Sequence, residues 1–153
     1  MANKLIWAAP ETISTLLSTE LNSLAAAALS SAGTAYDNET NKYRWGSVEL
    51  VADWDTTGPT AGGTLDLYFI PSVDGTNYMD STTSVPLAML VATFTPRTIL
   101  TSQRLVGRSF TEGGIIIPIP PLKFKGLLIN NTDQPLTASG HTVKLRPYNE
   151  ELQ

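Results

Sequence analysis

The sequence predicts an all-β protein: a single-domain antiparallel sandwich of jelly-roll type, with eight or nine short strands, an extended N-terminal arm and at most one short helix. Three observations predict it. Apolar and polar residues alternate with period 2 over short runs, the mark of a half-buried strand. Turn signals separate those runs at regular spacing, which points to a sandwich or barrel. The chain has 153 residues with no internal repeat or linker, so one domain is expected. A two-sheet jelly roll is the common way to arrange eight antiparallel strands in that length.

The stretch Tyr43 to Asp80 sets the pattern. Val48, Leu50, Ala52 and Trp54 fall on one face of a strand, and Glu49, Val51, Asp53 and Asp55 on the other. Leu65, Leu67 and Phe69 share a face opposed to Asp66, Tyr68 and Ile70. Gly58-Pro59 and Gly62-Gly63 punctuate the link between them. Pro71, which has no N–H to give a ladder, is expected to end the second run. The two runs are expected to pair antiparallel and seed the sheet, with Trp45 or Trp54 as a large core body.

Residues 1–10 read as an N-terminal arm and 11–153 as the sandwich domain. Leu5, Ile6 and Trp7 beside a terminus need a partner, either the chain's own domain or another subunit. Residues 11–35 favour an extended start, a short helical turn around Thr19–Leu24 and a small-residue strand from about Ala26 to Tyr36. A single helix over Glu11–Leu29 is the alternative, because Pro10-Glu11 suits a helix start. After Pro71 comes the long loop Ser72–Ser84, with a tight-turn signal at Asp74-Gly75 and a length that suits a functional loop. Leu87–Phe94 and Thr98–Val106 flank Pro96-Arg97 and read as a hairpin. Gly113-Gly114 opens the run IIIPIPP, which Pro118 demotes to an edge or a bulge. Strands follow at Leu122–Asn130 and His141–Pro147, then the tail PYNEELQ.

Composition narrows the function. Hydrophobic content of 42% and charged content of 16% exclude a disordered polyelectrolyte. A chain of this size buries roughly 70% of its unfolded surface, enough for a real core. There is no cysteine, so neither disulfides nor thiolate metal sites can form. The first residues lack the basic region and long apolar run of a signal peptide. No run of about 20 apolar residues is present, and no membrane partner is expected. The net charge of −4 argues against nucleic acid as the main partner. Residues 1–80 carry −7 and residues 81–153 carry +3, either scattered over a solvated surface or forming complementary patches between subunits.

The search for chemistry finds little. The one histidine, His141, has no G-x-S-x-G elbow to accompany it, and a structural role is expected. Asp53 and Asp55 sit two apart, as a glycoside-hydrolysing pair could, but such pairs commonly just solvate an outward face, and that is the expectation here. Asp74, Asn77 and Asp80 could offer oxygens to calcium, yet the full D-x-[DN]-x-[DN]-G pattern with its distal Glu is absent. Tyr68, Tyr78 and Trp54 could form a sugar platform, or could serve core and loop packing. Lys123-Phe124-Lys125 is strand alternation rather than a nucleic-acid surface. The N-x-T sequons at Asn38 and Asn130 read as chance. No catalytic residue, cofactor or metal ligand is assigned, and no enzyme activity is expected.

Two stretches carry a resemblance. LDLYFIPSVDGTNYMDS, followed downstream by VKLRPYNEE, resembles small structural proteins of tailed bacteriophages, and STELNSLAAAALSSAGTAYDN looks like the opening region of such proteins. Within that group the chain is most similar to capsid decoration (cement) proteins with jelly-roll folds. The resemblance spans about Thr12 to Glu150 in pattern and phrase, without a catalytic motif. It implies a virion protein on the outer capsid surface, made in the host bacterial cytoplasm. Its partner would be the phage major capsid protein, and it would commonly be a homotrimer. Leu5, Ile6, Trp7, Asp74, Asn77 and Tyr78 are the candidate capsid or inter-subunit contacts. A carbohydrate- or receptor-binding sandwich of a phage tail or fibre is the alternative.

Overall fold

The protein's structure, a computed structural model, describes residues 4–79, 85–111 and 113–152. Its strands in chain order are β1 (Leu5–Trp7), β2 (Ser14–Leu17), β3 (Ala28–Leu29), β4 (Tyr36–Asp37), β5 (Trp45–Ala52), β6 (Leu65–Ser72), β7 (Leu90–Phe94), β8 (Gln103–Val106), β9 (Arg108–Ser109), β10 (Ile117–Pro118), β11 (Lys123–Asn130), β12 (Thr142–Tyr148) and β13 (Glu150–Leu152). The helical part is a short α-helix, α1 (Asn38–Asn41), and two 3₁₀ turns at Thr19–Leu21 and Leu87–Met89. None of the described helices is long and apolar enough to cross a membrane.

The strands pair in a nest. β1 pairs β13, β2 pairs β12, β3 and β4 pair β11, β5 pairs β8, and β6 pairs β7, all antiparallel. The chain is thus a ribbon folded at its middle and rolled into two sheets. One sheet runs β10-β5-β12-β2, with β8 also on β5; the other runs β3-β11-β6-β7-β9, with β4 also on β11. That nesting over two sheets is jelly-roll topology. The strand count exceeds the expected eight or nine: β1 and β13 add a ribbon, and close-packed glycines lie at the breaks between β3 and β4 and between β8 and β9. At Gly33, between β3 and β4, a Cβ would lie 2.0 Å from the carbonyl oxygen of Leu16. At Gly107 it would lie 2.5 Å from Val48 Cγ2, and there the chain leaves β5 and joins β7 in the other sheet.

The core fills the space between the sheets. Val48, Leu50, Val143 and Leu145 come from one side, and Leu65, Leu67, Phe69, Phe94, Phe124 and Leu128 from the other. Phe69 and Phe124 stack with ring centroids 4.3 Å apart. Trp54 is the large core body, 1% exposed, whereas Trp45 lies half-buried on the outer face. Lys123-Phe124-Lys125 alternates as expected, with Phe124 inward.

Three expectations about connectivity are corrected. β5 and β6 do not pair; they lie in different sheets and face each other across the core. Residues 53–64 therefore form an arch over the end of the roll, held by Asp55 N–H to Pro135 O at 3.3 Å and Thr60 N–H to Asp133 Oδ1 at 2.9 Å. β7 and β8 likewise lie in different sheets, so Pro96-Arg97 is not a hairpin turn. Gln103 holds that connection, accepting from Arg97 N–H at 2.7 Å and donating to Arg97 O at 2.8 Å. β6 does not end at Pro71 but runs to Ser72. β7 reaches along β6 only to Tyr68, so Pro71 lies where that edge is free and its missing N–H costs no ladder bond. Pro147 in β12 lies beyond the last residue paired with β2, and its carbonyl oxygen accepts from Glu11 N–H at 3.0 Å.

Residues 11–35 contain β2, one 3₁₀ turn and β3, and no long helix. Pro118 does mark an edge strand, since β10 pairs β5 alone. The tail residues Glu150–Leu152 form β13, and the arm residues Leu5–Trp7 lie on it.

Candidate interaction surface

The outer face of the first sheet is built by alternation. With Val48 and Leu50 inward on β5, Trp45, Ser47, Glu49 and Val51 point outward; with Val143 and Leu145 inward on β12, so do Lys144, Arg146 and Tyr148. Charges on this face neutralise one another: Arg104 is hydrogen-bonded to Glu49, and Arg44 lies 3.8 Å from Glu150. Lys144 is the cross-strand partner of Glu49.

At the end where β5 begins and β12 finishes, the face becomes apolar. The β1–β13 ribbon brings Trp7 edge-on to Tyr148, with centroids 5.3 Å apart and planes at 90°. Residues 113–116 lie against the same place. A groove of about 240 Å³ is lined by Trp7, Ala8, Pro10, Ser47, Ile115, Ile116 and Tyr148. Ile115 also borders the two neighbouring grooves, one toward Trp45 and one toward Ile13, Val106 and Arg146. Trp7 is 51% exposed, Ile13 52%, Val106 50% and Ile115 57%. Trp45 Nε1 is buried and has no protein partner.

The six candidate contacts do not form one site. Leu5, Ile6 and Trp7 belong to the terminal ribbon, beside the first sheet. Asp74, Asn77 and Tyr78 lie at the same end of the roll but follow β6 of the second sheet. There Lys125 Nζ sits 4.5 Å from the centre of the Tyr78 ring. The remainder of the loop Ser72–Ser84, residues 80–84, lies outside the described residues, Asp80 among them.

Asp74 is a turn-holding group. Its Oδ1 accepts from Asn77 N–H at 2.7 Å, Thr76 N–H at 2.9 Å and Ser72 Oγ at 3.0 Å, and its Oδ2 accepts from Asn77 Nδ2 at 2.7 Å. Those donors, the Asn77 backbone first, hold its carboxyl far below the usual carboxylate range. Its lone pairs are spent inside the loop. Among the described residues, no group of three or more His, Asp or Glu could hold a metal ion.

The remaining candidates are structural. Asp53 Oδ1 accepts from Trp54 N–H at 3.0 Å, and Asp53 O accepts from Thr137 N–H at 3.1 Å. Trp54 and Tyr68 are 1% and 6% exposed, so they cannot join Tyr78 in a sugar platform. His141 is buried and its Nε2 lies 2.9 Å from Thr137 O; a carbonyl only accepts, so Nε2 carries the proton. Both sequon asparagines are fully buried and hydrogen-bonded. Asn38 Nδ2 donates to Tyr43 O at 2.8 Å and to Pro120 O at 2.7 Å. Asn130 Nδ2 reaches Gln134 O at 2.9 Å and Ala25 O at 3.1 Å. Neither can present its amide to a glycan-transferring enzyme in the folded state.

Ile115, Ile116, Val106, Ile13 and Trp45 are the surface residues that sequence reasoning missed. One signal was available. Three consecutive isoleucines after Gly-Gly cannot all face inward from a strand of period 2, and only Ile117 is fully buried.

Comparison with protein-family models, with curated proteins and with solved structures found no match for this chain. The fold and the surface therefore define it only as a jelly-roll domain with an exposed apolar face.

Proposed function

We propose that this chain is a structural protein of a tailed-phage virion, decorating the outer capsid surface and bridging major capsid subunits as a homotrimer. The observation that carries this reading is the cluster of half-exposed apolar side chains, Ile115, Trp7, Val106 and Ile13, that border adjoining grooves on one face of the roll. Surface of this kind marks contact with another macromolecule. The phrase-level resemblance to phage decoration proteins supplies the kind of partner. The mechanism is bridging: contacts to several shell subunits at once make modest individual contacts strong together, and they must break before the shell ruptures.

The test is co-sedimentation with empty shells assembled from the major capsid protein encoded alongside this chain. Wild-type protein is expected to saturate the shells. Ile115→Asp is expected to lower occupancy at least tenfold while leaving the circular dichroism spectrum unchanged. Full occupancy by Ile115→Asp would remove this surface from the contact, and no binding by wild type would remove the reading.

One observation favours the carbohydrate- or receptor-binding alternative. A groove of about 530 Å³ lies beside Tyr43, Trp45, Pro118 and Ile119, rimmed by Glu39, Lys42 and Arg44. Aromatic walls with a few charged groups suit a sugar. Glycan-array binding that Trp45→Ala abolishes would support this second reading, and a blank array would dismiss it.

A further inference from the structure

We propose that the N-terminal strand exchanges between copies of this chain, residues 4–10 of one copy leaving their own β13 and taking the same seat on β13 of a second copy. The proposal stands on the geometry of the termini and does not depend on the virion reading.

β1 is the outermost turn of the roll. Its departure opens only the β1–β13 pair and leaves the five nested pairs inside it intact. Its hold is short: a three-residue ladder, the Trp7–Tyr148 edge contact and Ala8 N–H to Asn149 O at 2.8 Å. Between β1 and β2 the pairing slips. Trp7 lies opposite Glu150 while Ser14 lies opposite Leu145, so the N-terminal segment has two more residues than it needs to follow its partner. The slack centres on Pro10, which has no N–H to give, and Ala9 to Ile13 are all exposed. Slack around a proline beside a short terminal strand is a hinge.

The seat also leaves apolar surface uncovered. Trp7 and Leu5 are 51% and 61% exposed although they are docked. An exchanged arm makes the same contacts as the closed one, so exchange of an identical element costs little. It also draws a second body toward the Ile115 face and covers surface that the closed form leaves in water. Closure within one chain has an effective concentration on the order of millimolar, so exchange is expected once local concentration approaches that level.

The chain has no cysteine, so an engineered pair reports without interference. Leu5 and Leu152 are register partners. The Ala8–Asn149 bond makes alternate pairs hydrogen-bonded, which puts Leu5–Leu152 at a non-bonded pair with Cα atoms about 4.5 Å apart, within disulfide range. Unlabelled and ¹⁵N-labelled Leu5→Cys/Leu152→Cys chains are mixed folded, in equal amounts at about 1 mM. They are then oxidised, digested and read by mass spectrometry. Where exchange and closure balance, about a quarter of the disulfide peptides are expected to be mixed-isotope, rising toward the statistical ceiling of about half at higher concentration. Disulfide peptides of a single isotope throughout would overturn it.

A second pair, Thr15→Cys/Lys144→Cys between β2 and β12, is expected to stay single-isotope in the same mixture. Mixing there too would mean whole-chain scrambling and would overturn an arm-specific exchange. Sedimentation equilibrium of the wild-type chain checks the result without substitution. Its mass should rise above 16.5 kDa with concentration, and a constant monomer mass up to the same concentration would count against the exchange.

Discussion

The two sheets finish their outer faces in opposite ways. On the second sheet, Tyr68, Ile70 and Leu127 face away from the inter-sheet core and are nevertheless buried. The chain following β6 returns to this side, where Tyr78 lies against Lys125. On the first sheet, Trp7, Val106 and Ile115 stay half exposed. The strand patterns carry the difference. β5 alternates inward and outward without exception, whereas β6 buries Leu67, Tyr68, Phe69 and Ile70 in succession. The second sheet buries these central outward groups within the chain; beside the first sheet, Trp7, Val106 and Ile115 stay half in water.

The comparison breaks most sharply under truncation. Ile70→Ala on the sealed face should cost about 2–5 kcal/mol, because it loses apolar contact and leaves a cavity. Ile115→Ala on the open face should change stability by less than about 0.5 kcal/mol. Urea denaturation of both variants measures the contrast, and similar midpoints would mean that the two faces are equally sealed.

A smaller effect tests how the sealed face is held. Lys125→Ala removes the cation from the Tyr78 ring and should cost about 0.5–1 kcal/mol. The loss should persist in 1 M salt less than fully if charge dominates, and should be unchanged by salt if the lysine stem alone packs there.

The smallest effect is confined to acid. Asp74 is held below its ordinary pKa in the fold, and its unfolded value is about 3.9. A depressed carboxyl stabilises the fold above the unfolded value, and that contribution is lost as pH falls through the folded one. Wild-type stability should therefore decline below about pH 4. Asp74→Asn should start lower at neutral pH and decline less steeply. Urea midpoints at stepped pH give both curves, and parallel slopes would show that this turn does not carry acid sensitivity.

Much of the fold was legible in the residues. The alternation of Val48, Leu50 and Ala52, of Val143 and Leu145, and of Lys123-Phe124-Lys125 located three strands and their inward faces. Over 11–35 the extended start and the short helical turn appear as β2 and the turn at Thr19–Leu21, but the expected strand from about Ala26 to Tyr36 is reduced to Ala28–Leu29 and the start of β4. The contact surface was less legible. Leu5, Ile6 and Trp7 stood out as apolar residues early in the chain, and of the three Trp7 lines the apolar groove. Ile13, Val106 and Trp45 come from distant parts of the chain, and nothing local announces that they share a face. The polar loop at Asp74 drew attention as a site because Asp, Gly and Asn are both ligand-type and turn-type residues; here their hydrogen bonds all close on the turn itself.

By itself the sequence determined the all-β class and the inward faces of the long strands, because those depend on local sterics and on which residues in a short run avoid water. Only the tertiary structure decided which strands pair, that β5 and β6 oppose each other across the core, that Trp54 is inside and Trp45 outside, and that the two termini meet. An exposed strand edge accepts any partner that its hydrogen bonds and apolar face allow. The choice among partners is made by the whole roll at once, where close approaches at Gly33 and Gly107 and the shared burial of Phe69, Phe94 and Phe124 leave one nesting that fills the core.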